Sequence, residues 1–143
     1  MKIFFMTLLL TYGLMATDAK EAALKLGAEN NYATAISKAK TEKKLLVMVV
    51  VKENCRWCEK LINKTLSEET VKNKLENYIT LIVDKNDDFP SDFKENFFPS
   101  IFYIDYSTEK SVYSNVGFVG KPCFLNDLNG SLEIRNSRHK NKE

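Results

Sequence analysis

Leu45-Leu46-Val47-Met48-Val49-Val50-Val51 is an unbroken run of seven apolar residues, and no other feature constrains the chain so tightly. The run is too short for a buried helix and is rich in β-branched side chains. It lacks the polar alternation of a strand with one wet face, so both of its faces must be covered. That places it inside a sheet with helices on each side. Ahead of it, Tyr32, Ala35, Ile36 and Ala39 recur at helical spacing. Cys58, Leu61, Ile62 and Leu66 do the same behind it, and Ser67-Glu68-Glu69 reads as the cap of a further short helix through Val71 and Leu75. Strands are expected over 78–84 and 100–105, with 111–116 closing a hairpin on the latter, and 91–96 is at most a short helix. Pro122 opens a last helix carrying Phe124, Leu125, Leu128 and Leu132, interrupted at Gly130. Alternating helices and strands with a closing hairpin specify an α/β domain: a central mixed sheet flanked by helices.

Before this domain, Ile3 to Ala16 forms an uncharged stretch of 14 residues behind Met1-Lys2. A membrane span needs about 20 apolar residues, so the stretch fits a secretory signal peptide over 1–16, cleaved after Ala16 rather than Ala19. The domain is then 17–136. Residues 137–143 carry no apolar side chain and are expected to be a disordered tail. The mature protein should work in an oxidising compartment, the periplasm or the exterior. With 44% hydrophobic and 28% charged residues, the chain is neither disordered nor a membrane bundle. A formal charge of +2 gives no footprint for nucleic acid.

The chemistry is concentrated in Cys55-Arg56-Trp57-Cys58, directly after the apolar strand. A cysteine at a helix N-terminus has its thiolate stabilised by unpaired N–H groups, lowering its pKa from about 8.5. The spacing puts Cys58 in the first turn, close enough to bridge to Cys55. Cys55, expected to be exposed, would be the attacking thiolate; Cys58, turned toward the helix body, would resolve. Arg56 adds positive charge beside Cys55, and Trp57 offers an apolar surface to an incoming chain. The same spacing also serves zinc sites and purely structural disulfides. Zinc would need further ligands, and only Cys123 and His139 remain among the Cys and His residues, neither in a second close pair. A four-residue loop gains little stability from closure, which disfavours a structural role.

The stretch from Tyr32 to about Leu128 resembles the thioredoxin-like superfamily, in particular its secreted bacterial members. The matching residues are the apolar strand 45–51, the Cys55–Cys58 motif opening a helix, and Phe98-Pro99-Ser100 opening a later strand. The resemblance implies a three-layer sandwich and a redox-active disulfide. It implies a cis bond before Pro99, which faces the cysteines and presents backbone groups to substrate; Phe98, otherwise a core aromatic, is expected to edge the substrate groove beside it. It also implies thiol–disulfide exchange on disulfide- or thiol-containing secreted proteins, as reductase rather than oxidase, with a membrane redox partner resetting the pair. No cofactor or metal is implied beyond the dithiol, and a monomer is expected. The chain departs from cytoplasmic thioredoxins at three places. Val49 stands where they carry a buried Asp, Asn54 where they carry Trp, and Arg56-Trp57 where they carry Gly-Pro. A reading from another class is a non-catalytic peptide- or metal-binding module or chaperone using the Pro99 groove.

The remaining candidates have plainer expectations. Cys123 reads as a small buried residue. Asp84, Asp87, Asp88 and Asp92 form a solvated loop without the glycine-centred pattern of a calcium site. Phe89, Phe93, Phe97, Phe102 and Tyr103 are expected mainly in the core, and His139 falls in the tail.

Overall fold

Alternate residues of a strand point to opposite faces, and the apolar run divides its side chains between two cores accordingly. The computed structural model describes residues 18–142. In it β1 spans Leu46–Val51, β2 Ile79–Asp84, β3 Ser100–Asp105 and β4 Lys110–Val116. The helices are α1 (Ala19–Leu26), α2 (Tyr32–Glu42), α3 (Arg56–Lys60), α4 (Glu69–Leu75) and α5 (Lys121–Lys140). Val47, Val49 and Val51 enter a core with Ala22 and Ala23 of α1, Cys58 of α3, Val71 of α4, and Phe124 and Leu128 of α5. Leu46, Met48 and Val50 enter the opposite core with Tyr32, Ala35, Ile36 and Ala39 of α2. The result is the expected sandwich of helices about a mixed sheet.

Strand order is β2-β1-β3-β4, with β1 parallel to β2 and antiparallel to β3, and β4 antiparallel to β3. The pairings Val50↔Ser100 and Ser100↔Val116 bring the end of β1, the start of β3 and the end of β4 to one end of the sheet. The segments 52–55, 97–99 and 117–120 therefore converge there, although they are far apart in the chain.

Helix α1 was not anticipated. Asp18 caps it, its carboxylate accepting the N–H groups of Lys20 and Glu21, and Gly27 closes it in the left-handed region. Beyond it, Glu29 bridges to β2, its N–H donating to Thr80 O (2.8 Å) and its carbonyl accepting from Ile82 N–H (2.9 Å). This covers the edge that β2 would otherwise present to other chains.

Four further expectations are corrected. The helix α5 passes through Gly130 and runs to Lys140, so most of 137–143 is helix rather than disordered tail. His139 and Arg135 hold it: the first contacts Asp105 Oδ2 at 2.8 Å, and the second donates to Lys43 O at 3.2 Å. Ser67 does not cap α4, because its hydroxyl donates backward to Ile62 O at 2.6 Å. Phe97 is 67% exposed rather than core. Cys123 is exposed, since the buried face of α5 is set by Phe124, Leu128 and Ser131. The residues 1–17, on which the signal-peptide reading falls, lie outside those described. Among the described residues, no helix is long and apolar enough to cross a membrane.

Candidate active site

The turn that delivers the cysteines begins where β1 ends. Asn54 takes a positive φ of 52°, a conformation that Asn enters more readily than most residues. Cys55 follows as the N-cap of α3, and its sulfur accepts the N–H of Cys58 at 3.2 Å. Cys55 and Cys58 are joined in a disulfide with an S–S distance of 2.17 Å and a Cα–Cα distance of 5.2 Å. The spacing argument thus placed both sulfurs correctly. It erred on exposure: Cys55 is only 5% exposed and Cys58 is fully buried. Cys55 belongs to the same core as Val49, Leu61 and Phe124, with Phe98 and Phe118 packed against it. That core is assembled from distant parts of the chain, which local spacing cannot reveal.

After Lys60 the helix continues as a π-helical segment, Leu61–Leu66. Insertions of this kind alter which side chains face inward and are frequent at functional sites. Here Thr65 is buried, and its hydroxyl donates to Val119 O at 2.7 Å. That bond ties the cysteine-bearing helix to the loop after β4. The adjacent Phe118 lies 6.3 Å from the Trp57 ring, centroid to centroid. Trp57, expected as an apolar contact, is indeed 47% exposed. Lys60 Nζ lies over both rings, and Arg56 over Trp57. Phe118, Lys60 and Thr65 were missed by sequence reasoning. Lys60 could have been found one turn beyond Arg56, whereas the other two needed the topology.

The Phe98–Pro99 bond is cis. Pro99 is buried, and its carbonyl accepts the N–H of Gly117 at 2.7 Å. Gly117 has a φ of +89°, where a side chain would be strained, so glycine suits the bend that closes this bond. Ser100 braces the same loop, its hydroxyl donating to Phe97 O at 2.6 Å. Pro99 has no N–H to offer, and one lone pair of its carbonyl is already engaged. Phe98, half-buried at the end of the sheet with Lys52 Nζ 5.7 Å from its ring, forms no backbone hydrogen bond among the described residues.

Two of the acidic loop residues, Asp84 and Asp87, serve as turn locks. Asp87 accepts from Asp84 N–H at 2.8 Å, and Asp84 from Asn86 N–H at 2.9 Å. Among the described residues, no cluster of His, Cys, Asp or Glu could hold a metal ion.

No protein-family model and no curated protein matches the sequence. Solved structures do match. A thioredoxin from Thermus thermophilus superposes with a TM-score of 0.68 at 16% identity, over 78% of this chain and 92% of that one. The DsbH oxidoreductase gives 0.59 at 18% identity, over 76% and 88%. The oxidised C-terminal domain of DsbD from Neisseria meningitidis gives 0.57 at 19% identity, over 79% and 97%. The fold is that of thioredoxin.

Proposed function

We propose that this protein is a thiol–disulfide oxidoreductase acting on other proteins, with Cys55 as nucleophile and Cys58 as resolving thiol. The observation that carries the reading is the Cys55–Cys58 disulfide spanning the N-cap and first turn of α3. In the reduced protein the Cys55 thiolate attacks one sulfur of a substrate disulfide. An S–S bond forms between enzyme and substrate, and the other substrate sulfur leaves as a thiolate. The Cys58 thiolate then attacks Cys55 Sγ, restoring the internal disulfide and releasing the second substrate thiol. Two electrons pass from protein to substrate, with no further cofactor. Roles follow from burial: Cys55 retains a little exposure and Cys58 has none, so an incoming disulfide meets Cys55 first. The Phe98 N–H and carbonyl are suited to pair with an extended substrate segment, and Trp57 to contact its side chains.

The reducing direction is supported by the surroundings of the fully buried Cys58. Burial among apolar side chains disfavours a charged thiolate but not a neutral disulfide, so the oxidised form is the more comfortable one. Equilibration with glutathione tests this: a potential near about −270 mV marks a reductase and one near about −120 mV an oxidase. Secretion fits the position of α1. Cleavage after Ala16 leaves the Asp18 cap of α1 in place, whereas cleavage after Ala19 would remove it. Supply of electrons by a membrane partner, and action as a monomer, belong to the same proposal.

The test is role asymmetry. Cys55→Ser should abolish turnover of insulin disulfides by dithiothreitol, whereas Cys58→Ser should accumulate mixed disulfides visible on a non-reducing gel. Trapping that required Cys58 would reverse the roles. Absence of catalysis by the unaltered protein would leave a binding module.

A further inference from the structure

Three cations of the segment that carries the cysteines, Lys52, Arg56 and Lys60, are each seated on an aromatic ring rather than on a carboxylate. Lys60 Nζ is 4.5 Å from the centre of the Phe118 ring and 5.1 Å from that of Trp57. The Arg56 guanidinium is 5.5 Å from Trp57, and Lys52 Nζ is 5.7 Å from Phe98. Elsewhere several lysines pair with acids, as in Lys38–Glu29, Lys40–Glu109 and Lys44–Glu42, while Lys94 and Arg135 also sit over rings, those of Phe89 and Tyr106. Among the described residues, no carboxylate comes within 4.0 Å of the charged groups of Lys52, Arg56 or Lys60. Glu53 and Glu59 lie in the same segment, yet neither reaches a rim cation. A cation held over ring faces is positioned at reduced entropic cost and keeps its charge available to a partner. The rim is thus partly exposed aromatic surface with positive charge above it. Aromatic rings with Arg are also the residue types that dominate binding at protein interfaces.

We infer that this face selects protein disulfides whose cysteines are flanked by acidic residues, with Lys60 as the principal specificity-determining residue. The inference rests on the exchange reading above and names the substrate class for the same site. Lys60 bridges the two sides of the rim, touching Trp57 from the cysteine helix and Phe118 from the loop after β4. A substrate carboxylate next to the attacked cysteine gains Coulomb attraction there, and a substrate lysine meets repulsion. Attraction of this kind raises encounter rates and is weakened by salt.

The experiment uses the full chain, reduced, and three peptides that differ only in the residues flanking one disulfide: Glu, Gln or Lys. Each exchange rate is divided by the rate of the same peptide with dithiothreitol, an uncharged thiol, so intrinsic reactivity cancels. At low salt the Glu peptide should exceed the Lys peptide by about tenfold, and the ratio should shrink at high salt. Lys60→Glu should bring the ratio to one or below, and Lys60→Gln to an intermediate value. A change in Cys55 reactivity caused by Lys60 would alter all three rates together and leave the ratios intact. Equal normalised rates at low salt, or a ratio that Lys60→Glu does not move, would overturn the inference while leaving exchange itself standing. No exchange with any of the three would overturn both.

Discussion

Replacing Thr65 with valine keeps the side chain's size and branching and removes only its hydroxyl. In the folded protein that hydroxyl donates to Val119 O at 2.7 Å from a fully buried position in the π-helical segment. A neutral hydrogen bond contributes about 1 kcal/mol net, and a buried acceptor left bare costs about 1–3 kcal/mol. Val119 is half-buried, so water recovers part of that loss. The expected destabilisation is therefore about 1–2 kcal/mol, or a fall in Tm on the order of 4–8 °C. Trp57 is the single tryptophan, and its ring contacts Phe118 beside the freed loop. Its fluorescence should change at urea concentrations where the helical circular dichroism is still native, because the loop detaches before the sheet opens. Thr65→Ser, which keeps the hydroxyl, should not show this early change. A Thr65→Val protein whose fluorescence and dichroism transitions coincide with each other and with the parent's would refute the tie between helix and loop.

Other expected outcomes follow from isolated features. Gly130 lies inside α5 with open space where a Cβ would go, so Gly130→Ala should raise stability by about 0.5–1 kcal/mol in urea unfolding. The Tyr103 hydroxyl is buried without a partner among the described residues, whereas that of Tyr78 donates to Leu128 O at 2.9 Å. Tyr103→Phe should thus be neutral or stabilising and Tyr78→Phe should cost about 1 kcal/mol; the reverse order would contradict the bonding. Burial would raise the Asp105 carboxyl, but the N–H and hydroxyl of Ser107 and the His139 imidazole together hold it below the usual carboxylate range. A lowered folded pKa gives stability that is complete above the unfolded value of about 3.9 and is lost as pH falls through the folded value. Asp105→Asn should therefore lose less stability than the parent between neutral and acid pH, read from urea midpoints across that range.

Strands β1 and β3 were legible because 45–51 and 101–104 are apolar runs, and a strand apolar on both faces needs no partner's identity to be placed. The cysteine motif was equally plain, since N-cap and first turn are local geometry. Helix α1 escaped because Ala19, Ala22 and Ala23 bury little and resemble the small residues that end a leader. The π-helical segment has no periodic signature, and its consequence, the inward Thr65 hydroxyl, depends on a loop formed much later in the chain. The end of α5 escaped for a similar reason: polar bonds to Asp105 and Lys43 hold it, and the sequence there shows only charge. Even the burial of Cys55 is a tertiary fact, since it joins a core assembled from distant parts of the chain.

The carbonyl of Pro99, engaged by Gly117, and the Thr65 hydroxyl, engaged by Val119, have a consequence for the order in which the molecule is made. Chains emerge N-terminus first, and both thiols emerge well before the loops that cover them. Until β3 and β4 close, Cys55 and Cys58 are open to any thiol or oxidant, Cys123 of the same chain included once it appears. A nascent chain oxidised early between Cys55 and Cys58 is protected from the wrong pairing, and the later half of the protein folds over a bond already in place. Oxidation as the chain emerges into an oxidising compartment would then be a safeguard for the fold's own assembly.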